Sequence, residues 1–333
     1  MGFGDFNSIC EQASVPLCSV VGYYSTVTTS VGIEADCFAR NIELANTIIF
    51  QGAASFMHIV ALTMTVIMIL HVRSKFTAVG RKEIIAFFYL YMGLTFASLV
   101  LDSGVVPPGS SVYPYFVAVQ NGLTSALCVC LLINGFVGFQ LYEDGTTLSV
   151  WLIRTVSFAF FIITGLVSLA TFKGWAGLGP TSTIGLFVVL YLISGIALLI
   201  YVIMQIILVV NTLQDRWPLG DIAFGAFFLI IGQVIMYVFS NTICNAVQHY
   251  LDGLFFATIC NLLAVMMVYK YWDSITREDL EFSVGTKQNN WEVKEPLMED
   301  DRRTTVYQDT DASTVYNTQA AHGRNSNYGG FAY

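Results

Sequence analysis

The chain has 333 residues, of which 55% are hydrophobic and only 11% charged, well below the quarter usual in soluble domains. Its formal net charge of −8 lies largely at one end, since residues 271–333 hold 11 of the 23 acidic groups, and no basic stripe suggests nucleic acid. A single soluble core and a nucleic-acid-binding protein are both excluded, and the lipid bilayer is the solvent for most of the fold.

Residues 1–44 come first, with Cys10, Cys18 and Cys37. The opening 20 residues lack a basic stretch followed by an apolar run, so no cleavable signal peptide is expected. Seven apolar stretches follow, at about 45–70, 84–102, 115–141, 151–172, 184–210, 221–243 and 251–270. Each is about the 20 residues that a helix needs to cross the hydrocarbon core. The charges touching them (Asp102, Arg154, Asp221, Asp252, Lys270) sit within a few residues of an end. That pattern argues against pumps and transporters, which need ionisable groups at membrane depth. The predicted fold is therefore an all-α membrane protein with seven transmembrane helices over 45–270.

Lys and Arg set the orientation. Arg73, Lys75, Arg81, Lys82, Arg154, Arg216, Lys270, Arg277 and Lys287 lie on one side, against Arg40 and Lys173 on the other. The N terminus is expected in the lumen and the tail, 271–333, in the cytosol. Cys10, Cys18, Cys37 and Cys244 then share the oxidising side, where four cysteines make two disulfides in any of three connectivities. Such bridges would staple the N-terminal segment to the loop at 244–250. Zinc fits less well, because no CxxC pair or His cluster accompanies them.

Loops between the stretches are short. Pro107, Pro108 and Pro114 stiffen the loop at 103–114. Asp144-Gly145 reads as a tight turn, with Thr146 or Thr147 capping the fourth helix, and Trp217-Pro218-Leu219-Gly220 punctuates the start of the sixth. Gln51, Ser55 and His58 fall on one face of the first helix, and Thr65 extends the stripe. Gly122, Ala126 and Cys130 form a small-residue ridge on the third. Gln51, Ser55, His58, Gly122 and Ala126 are the candidate intramembrane interaction seam. Asn121, Asn134, Gln140, Gln205, Gln233, Asn241 and Asn261 raise the same question, since each carboxamide in hydrocarbon needs a hydrogen-bond partner in this chain or another. Asp102 and Asp252 are expected to pair with Arg40 or Lys173. Hydrolase, phosphate-loop and zincin motifs are absent, so no catalytic, cofactor or metal residue is assigned and no cofactor is expected.

Beyond about 285 the chain turns polar and is expected to be disordered. Asp279-Leu280-Glu281, an acidic-x-acidic triplet, is a candidate export signal for a vesicle coat. A seven-helix receptor is the alternative reading of the topology, although the third stretch ends in Gln140-Leu141-Tyr142-Glu143 and the seventh has no Asn-Pro-x-x-Tyr element.

Ordered blocks from residue 9 to about 282 carry a resemblance. They include Ile9-Cys10, Pro16-Leu17-Cys18-Ser19-Val20, Cys37-Phe38-Ala39-Arg40 and Glu43-Leu44-Ala45-Asn46-Thr47. Lys75-Phe76-Thr77-Ala78-Val79-Gly80-Arg81, Pro107-Pro108-Gly109-Ser110 and Tyr113-Pro114-Tyr115-Phe116 follow, then Glu143-Asp144-Gly145-Thr146-Thr147. The longest is His249-Tyr250-Leu251-Asp252-Gly253-Leu254-Phe255-Phe256, ahead of Met266-Met267-Val268-Tyr269-Lys270 and Trp272-Asp273. Together the set resembles the fungal chitin synthase export chaperones. The resemblance implies a multi-pass protein of the endoplasmic reticulum membrane that is not an enzyme. It also implies chitin synthase as the client, bound while it folds and released to the cell surface for cell-wall synthesis.

Overall fold

A computed structural model describes residues 4–22, 32–44, 47–76, 78–137, 145–175, 177–212 and 216–292, with side chains up to residue 276 except those of 44, 47 and 212. Two compact units divide the chain, Met1–Glu278 and Asp279–Tyr333. The first unit holds seven helices long and apolar enough to cross a membrane: Gly52–Ser74, Arg81–Asp102, Tyr113–Val137, Thr147–Lys173, Ile184–Asn211, Trp217–Ala246 and Gly253–Thr276. They are called here the first to seventh spans.

The boundaries follow from local chemistry. The sequence places the first span from residue 45, but residues 47–49 are extended instead. Strands β1 (Ile42–Leu44) and β2 (Thr47–Ile49) pair antiparallel, with Ile42 opposite Ile49 and Glu43 opposite Ile48. Gln51 then takes a left-handed backbone, φ 45°, which no helix can run through, so the helix begins at Gly52. Thr146 caps the fourth span by accepting a hydrogen bond from Ser149 N at 3.4 Å, and Gly174, φ 71°, ends it. Pro218 stands in the first turn of the sixth span, where its missing N–H has no intrahelical partner to lose, so that span starts at Trp217 rather than 221. In the stiff loop at 103–112, Ser110 N bonds the Pro107 carbonyl and Tyr113 N bonds the Ser110 carbonyl, two turns in succession. The third span is helical to Val137, and Gln140 and Asp144 lie outside the described residues. The helix that opens the seventh span continues to Glu292, past the point where the polar tail begins, and residues 293–333 lie outside the described ones.

The third span is the hub, with 61% of its apolar window buried between the second, fourth and fifth spans. Gly122 makes that closeness possible: a Cβ there would sit 2.8 Å from the Phe161 carbonyl oxygen on the fourth span. The sixth span lies at the other extreme, with 11% of its window buried. The fifth and sixth spans each contain a π-helical stretch, Val188–Ile193 and Ile235–Phe239. Each stretch carries a tyrosine, and the Tyr237 hydroxyl donates to the Tyr191 hydroxyl at 3.0 Å. A π turn shifts the side chains that follow it around the helix, which lets two bulky spans meet at hydroxyl distance.

Candidate functional site

The N-terminal segment closes one end of the bundle. Helix α1 (Asn7–Gln12) and the turn Pro16–Ser19 bury Phe6, Cys10, Leu17, Cys18 and Val21 against Leu101, Tyr113, Val117, Leu186 and Leu190 of the second, third and fifth spans. Cys10 bonds Cys18 (Cα–Cα 5.5 Å), making the segment compact, and Cys37 bonds Cys244 (Cα–Cα 6.1 Å), fixing it to the sixth span. Backbone groups complete the attachment. Tyr113 hydroxyl donates to the Pro16 carbonyl, Thr183 hydroxyl to the Gly4 carbonyl and Arg40 N to the His249 carbonyl, at 3.1, 2.8 and 2.7 Å.

His249 also stands beside the second disulfide, its Nδ1 3.2 Å from Cys37 Sγ and 3.7 Å from Cys244 Sγ. Sequence spacing gave no hint of this trio, because its members come from positions 37, 244 and 249. Two thiolates and an imidazole at such distances would suit zinc. With the sulfurs bonded to one another there is no thiolate to coordinate it, and the trio is a staple flanked by an imidazole.

Beneath the cap lies a buried polar cluster. Gln51 Nε2 donates to Ser14 Oγ at 2.8 Å, and the Ser14 hydroxyl donates to Asp252 Oδ2 at 3.4 Å. Asp252 also caps the seventh span, accepting from Phe255 N at 3.1 Å. Burial pushes the Asp252 carboxyl above its ordinary range, and the nearby Asp102 charge adds to the rise. The expected partners of Asp102 are corrected here. Asp102 Oδ2 lies 2.8 Å from His58 Nε2, with both side chains buried, whereas Arg40 stacks over Tyr250 and Lys173 over Tyr115. The late start of the first span explains it. With the helix beginning at Gly52, His58 is less than two turns from the end and level with the last residue of the second span. The imidazole orients its Nε2–H to the carboxylate, and among the described residues Nδ1 has no hydrogen-bond partner. An oriented imidazole without a hydroxyl or thiol at its second nitrogen is a structural pair, short of the nucleophile–base arrangement of an acyl-transfer site.

The other seam residues are turned toward this chain's own helices. Ser55 is buried and donates to the Phe50 carbonyl at 3.4 Å, while Ala126 and Cys130 on the third span are fully buried beside Gly122. Most mid-span carboxamides are likewise satisfied at home. Asn121 donates to Ser168 Oγ, Asn134 to the Cys130 carbonyl, and Gln205 accepts from the Tyr271 hydroxyl, at 3.3, 2.9 and 2.6 Å.

At the opposite end of the bundle, short polar ties hold the turns. Glu83 is buried and accepts from Gly145 N and Ser149 Oγ, both at 3.0 Å, joining the second span to the start of the fourth. Trp272 Nε1 donates to the Val79 carbonyl at 3.1 Å, Lys75 pairs with Asp273, and Lys270 with Asp221 at 2.9 Å. Glu83 escaped sequence reasoning because one acidic residue at a span boundary reads as a solvated flank. The backbone at Asp279 and Glu281 is helical, but their side chains lie outside the described residues.

Comparison with known proteins identifies the relatives of this chain. The family model described as chitin synthase export chaperone matches residues 2–286. A protein of that name from Coccidioides immitis is 69% identical over 330 residues, covering 99% of each chain. The Aspergillus fumigatus protein is 69% identical over 333 residues, covering both chains in full. The Neurospora crassa protein is 72% identical over 310 residues, 92% of this chain and 87% of its own. No solved structure matches.

Proposed function

The chain belongs to the chitin synthase export chaperone family, and from that premise we propose that it binds chitin synthase in the endoplasmic reticulum membrane until the enzyme is fit to leave for the cell surface. The observation that carries this reading is identity of 69% over the full length of a protein bearing that name. The protein acts without chemistry of its own. Its N-terminal cap faces the lumen, where disulfides persist, and its basic loops and tail face the cytosol, a reading supported by the Lys and Arg distribution.

The structure supports a binding role in two ways. Two disulfides and a buried polar cluster make one end of the bundle stiff, so binding surfaces on the spans are held in place before the client arrives. Only 11% of the apolar window of the sixth span is fully buried by this chain, and Phe224, Phe227, Ile230, Val234 and Val238 are exposed, leaving a helical face for another membrane helix. Association there draws on packing and interhelical hydrogen bonds, each about 0.6–2 kcal/mol. Several such contacts hold a client and still release it.

Asp279 and Glu281 follow the last span on the cytosolic side, and we assign them as the signal through which a vesicle coat collects the chaperone. The test of the function is deletion in the fungal host with imaging of a tagged chitin synthase and of cell-wall chitin. Synthase held in the endoplasmic reticulum with reduced chitin is expected, and normal delivery would overturn the reading. In cells carrying Asp279→Ala with Glu281→Ala, the chaperone should leave the reticulum more slowly. Unchanged exit removes the signal alone.

A further inference from the structure

The sixth and seventh spans pack antiparallel along a seam of small residues. A Cβ on Gly225 would lie 3.3 Å from Met267 Cβ, one on Gly232 2.8 Å from Cys260 Cβ, and one on Gly253 2.5 Å from Ser240 Cβ. These pairs fix the register. Gln233 and Asn261 are each the next residue after the Gly232–Cys260 contact. In two right-handed helices running oppositely, a step of 100° from facing positions carries both side chains to the same side of the seam. One residue's rise in each direction separates them by only about 3 Å in height. Two carboxamides thus flank one edge of the seam, side by side, at a depth well inside both spans.

Hydrogen-bond accounting sets this pair apart. Among the described residues, Asn121, Asn134 and Gln205 are bonded within the chain, whereas Gln233 and Asn261 make no hydrogen bond, and both are half-buried. No charged residue stands within three positions of either. Hydrocarbon offers a carboxamide no donor or acceptor, so each group keeps a hydrogen-bonding demand that a lipid tail leaves unmet. A polar side chain on an incoming helix meets it.

We propose that Gln233 and Asn261 form the point at which this chaperone recognises a transmembrane helix of chitin synthase, through an amide or hydroxyl side chain that the enzyme has not yet packed. This deepens the function proposed above and rests on it. The pairing explains selectivity and release together. An unassembled client helix carries a polar group that needs a partner, and the carboxamide pair supplies donors and acceptors in one place. Once the client buries that group in its own fold, nothing remains to hold it.

The experiment uses full-length protein in a host lacking its own copy. Replacing both side chains by leucine (Q233L with N261L) removes the polar pair while keeping side-chain bulk. Interhelical hydrogen bonds of the size measured in membranes correspond to about three- to thirtyfold in affinity each. The double variant is therefore expected to lower co-purified synthase about tenfold and to hold synthase in the reticulum, with its own abundance unchanged. Undiminished co-purification and delivery overturn the proposal. Should the double variant fall in abundance, a photo-cross-linking amino acid in place of Gln233 decides the matter. A cross-link to chitin synthase supports the proposal, while cross-links only to lipid, to a second copy or within the chain overturn it. The two readings fail separately. If the deletion strain delivers synthase normally, the chaperone function fails. If deletion traps synthase and the double variant restores delivery as well as the natural chain does, only the carboxamide pair is refuted.

Discussion

Replacing Cys37 and Cys244 together by serine removes the covalent tie between the N-terminal cap and the sixth span. The two cysteines are 207 positions apart, against 8 for Cys10 and Cys18. In the chain-entropy account, a cross-link closing so long a loop stabilises by about 5 kcal/mol, and the short loop by about 2.5 kcal/mol. The larger figure is an upper bound here, because the spans between the two cysteines stay inserted in the bilayer when the cap opens, and the freed chain explores less space. A loss of about 2–4 kcal/mol follows. For a unit of more than 150 residues this lowers Tm by roughly 5–10 °C. The assay is thermal unfolding in detergent alongside non-reducing gel mobility and protease access to the cap. The noncovalent anchors that remain include Arg40 N on the His249 carbonyl and Arg40 over Tyr250, and they keep the cap associated but exchanging. The reasoning is refuted if Tm and protease access match the natural chain. It is equally refuted if losing Cys10–Cys18 proves the more damaging change.

Two further predictions concern the buried positions. Asp252 has a folded carboxyl raised above its ordinary 3.8, so its contribution to stability is fully present below that value and is lost as pH rises through the raised one. Asp252→Asn keeps the cap on Phe255 N and removes the buried charge, so Tm near neutral pH should rise and the decline in stability from acid to neutral pH should flatten; a lower neutral Tm with an unchanged pH profile would contradict this. Gly122→Ala places a methyl group 2.8 Å from the Phe161 carbonyl and forces the third and fourth spans apart, at a cost of about 1–3 kcal/mol. Gly109→Ala, which meets nothing within 4 Å, serves as the control, and equal thermal stability of the two variants would show that the close approach is unimportant.

The seven spans were legible because each is a run of local hydrophobicity, and the bilayer rewards that run wherever it sits in the fold. The first boundary was not legible, because Ile48-Ile49-Phe50 continues the apolar run of the first span and only pairing of Ile42 with Ile49 makes residues 47–49 a strand. The fourth-span cap at Thr146 was legible because capping is a matter of three neighbouring residues. Polar pairing was the opposite case. His58 could be seen as polar and buried, but its partner Asp102 lies 44 positions away, and charge counting favoured Arg40 or Lys173 instead.

What the sequence determined by itself was therefore the class of protein, the number of spans and the set of residues needing partners, all of which depend on composition over a few turns. The tertiary structure alone decided who partners whom. It joined Cys10 to Cys18 and Cys37 to Cys244 out of three connectivities, because only the packed cap brings those sulfurs to bonding distance. It turned Ser55, His58, Gly122 and Ala126 toward this chain's own helices and bonded Gln51 to Ser14 of the cap, while among the described residues Gln233 and Asn261 were left with no hydrogen-bond partner. The physical reason is that a helix fixes the face on which a side chain lies, but the neighbour on that face is set by helices far away along the chain.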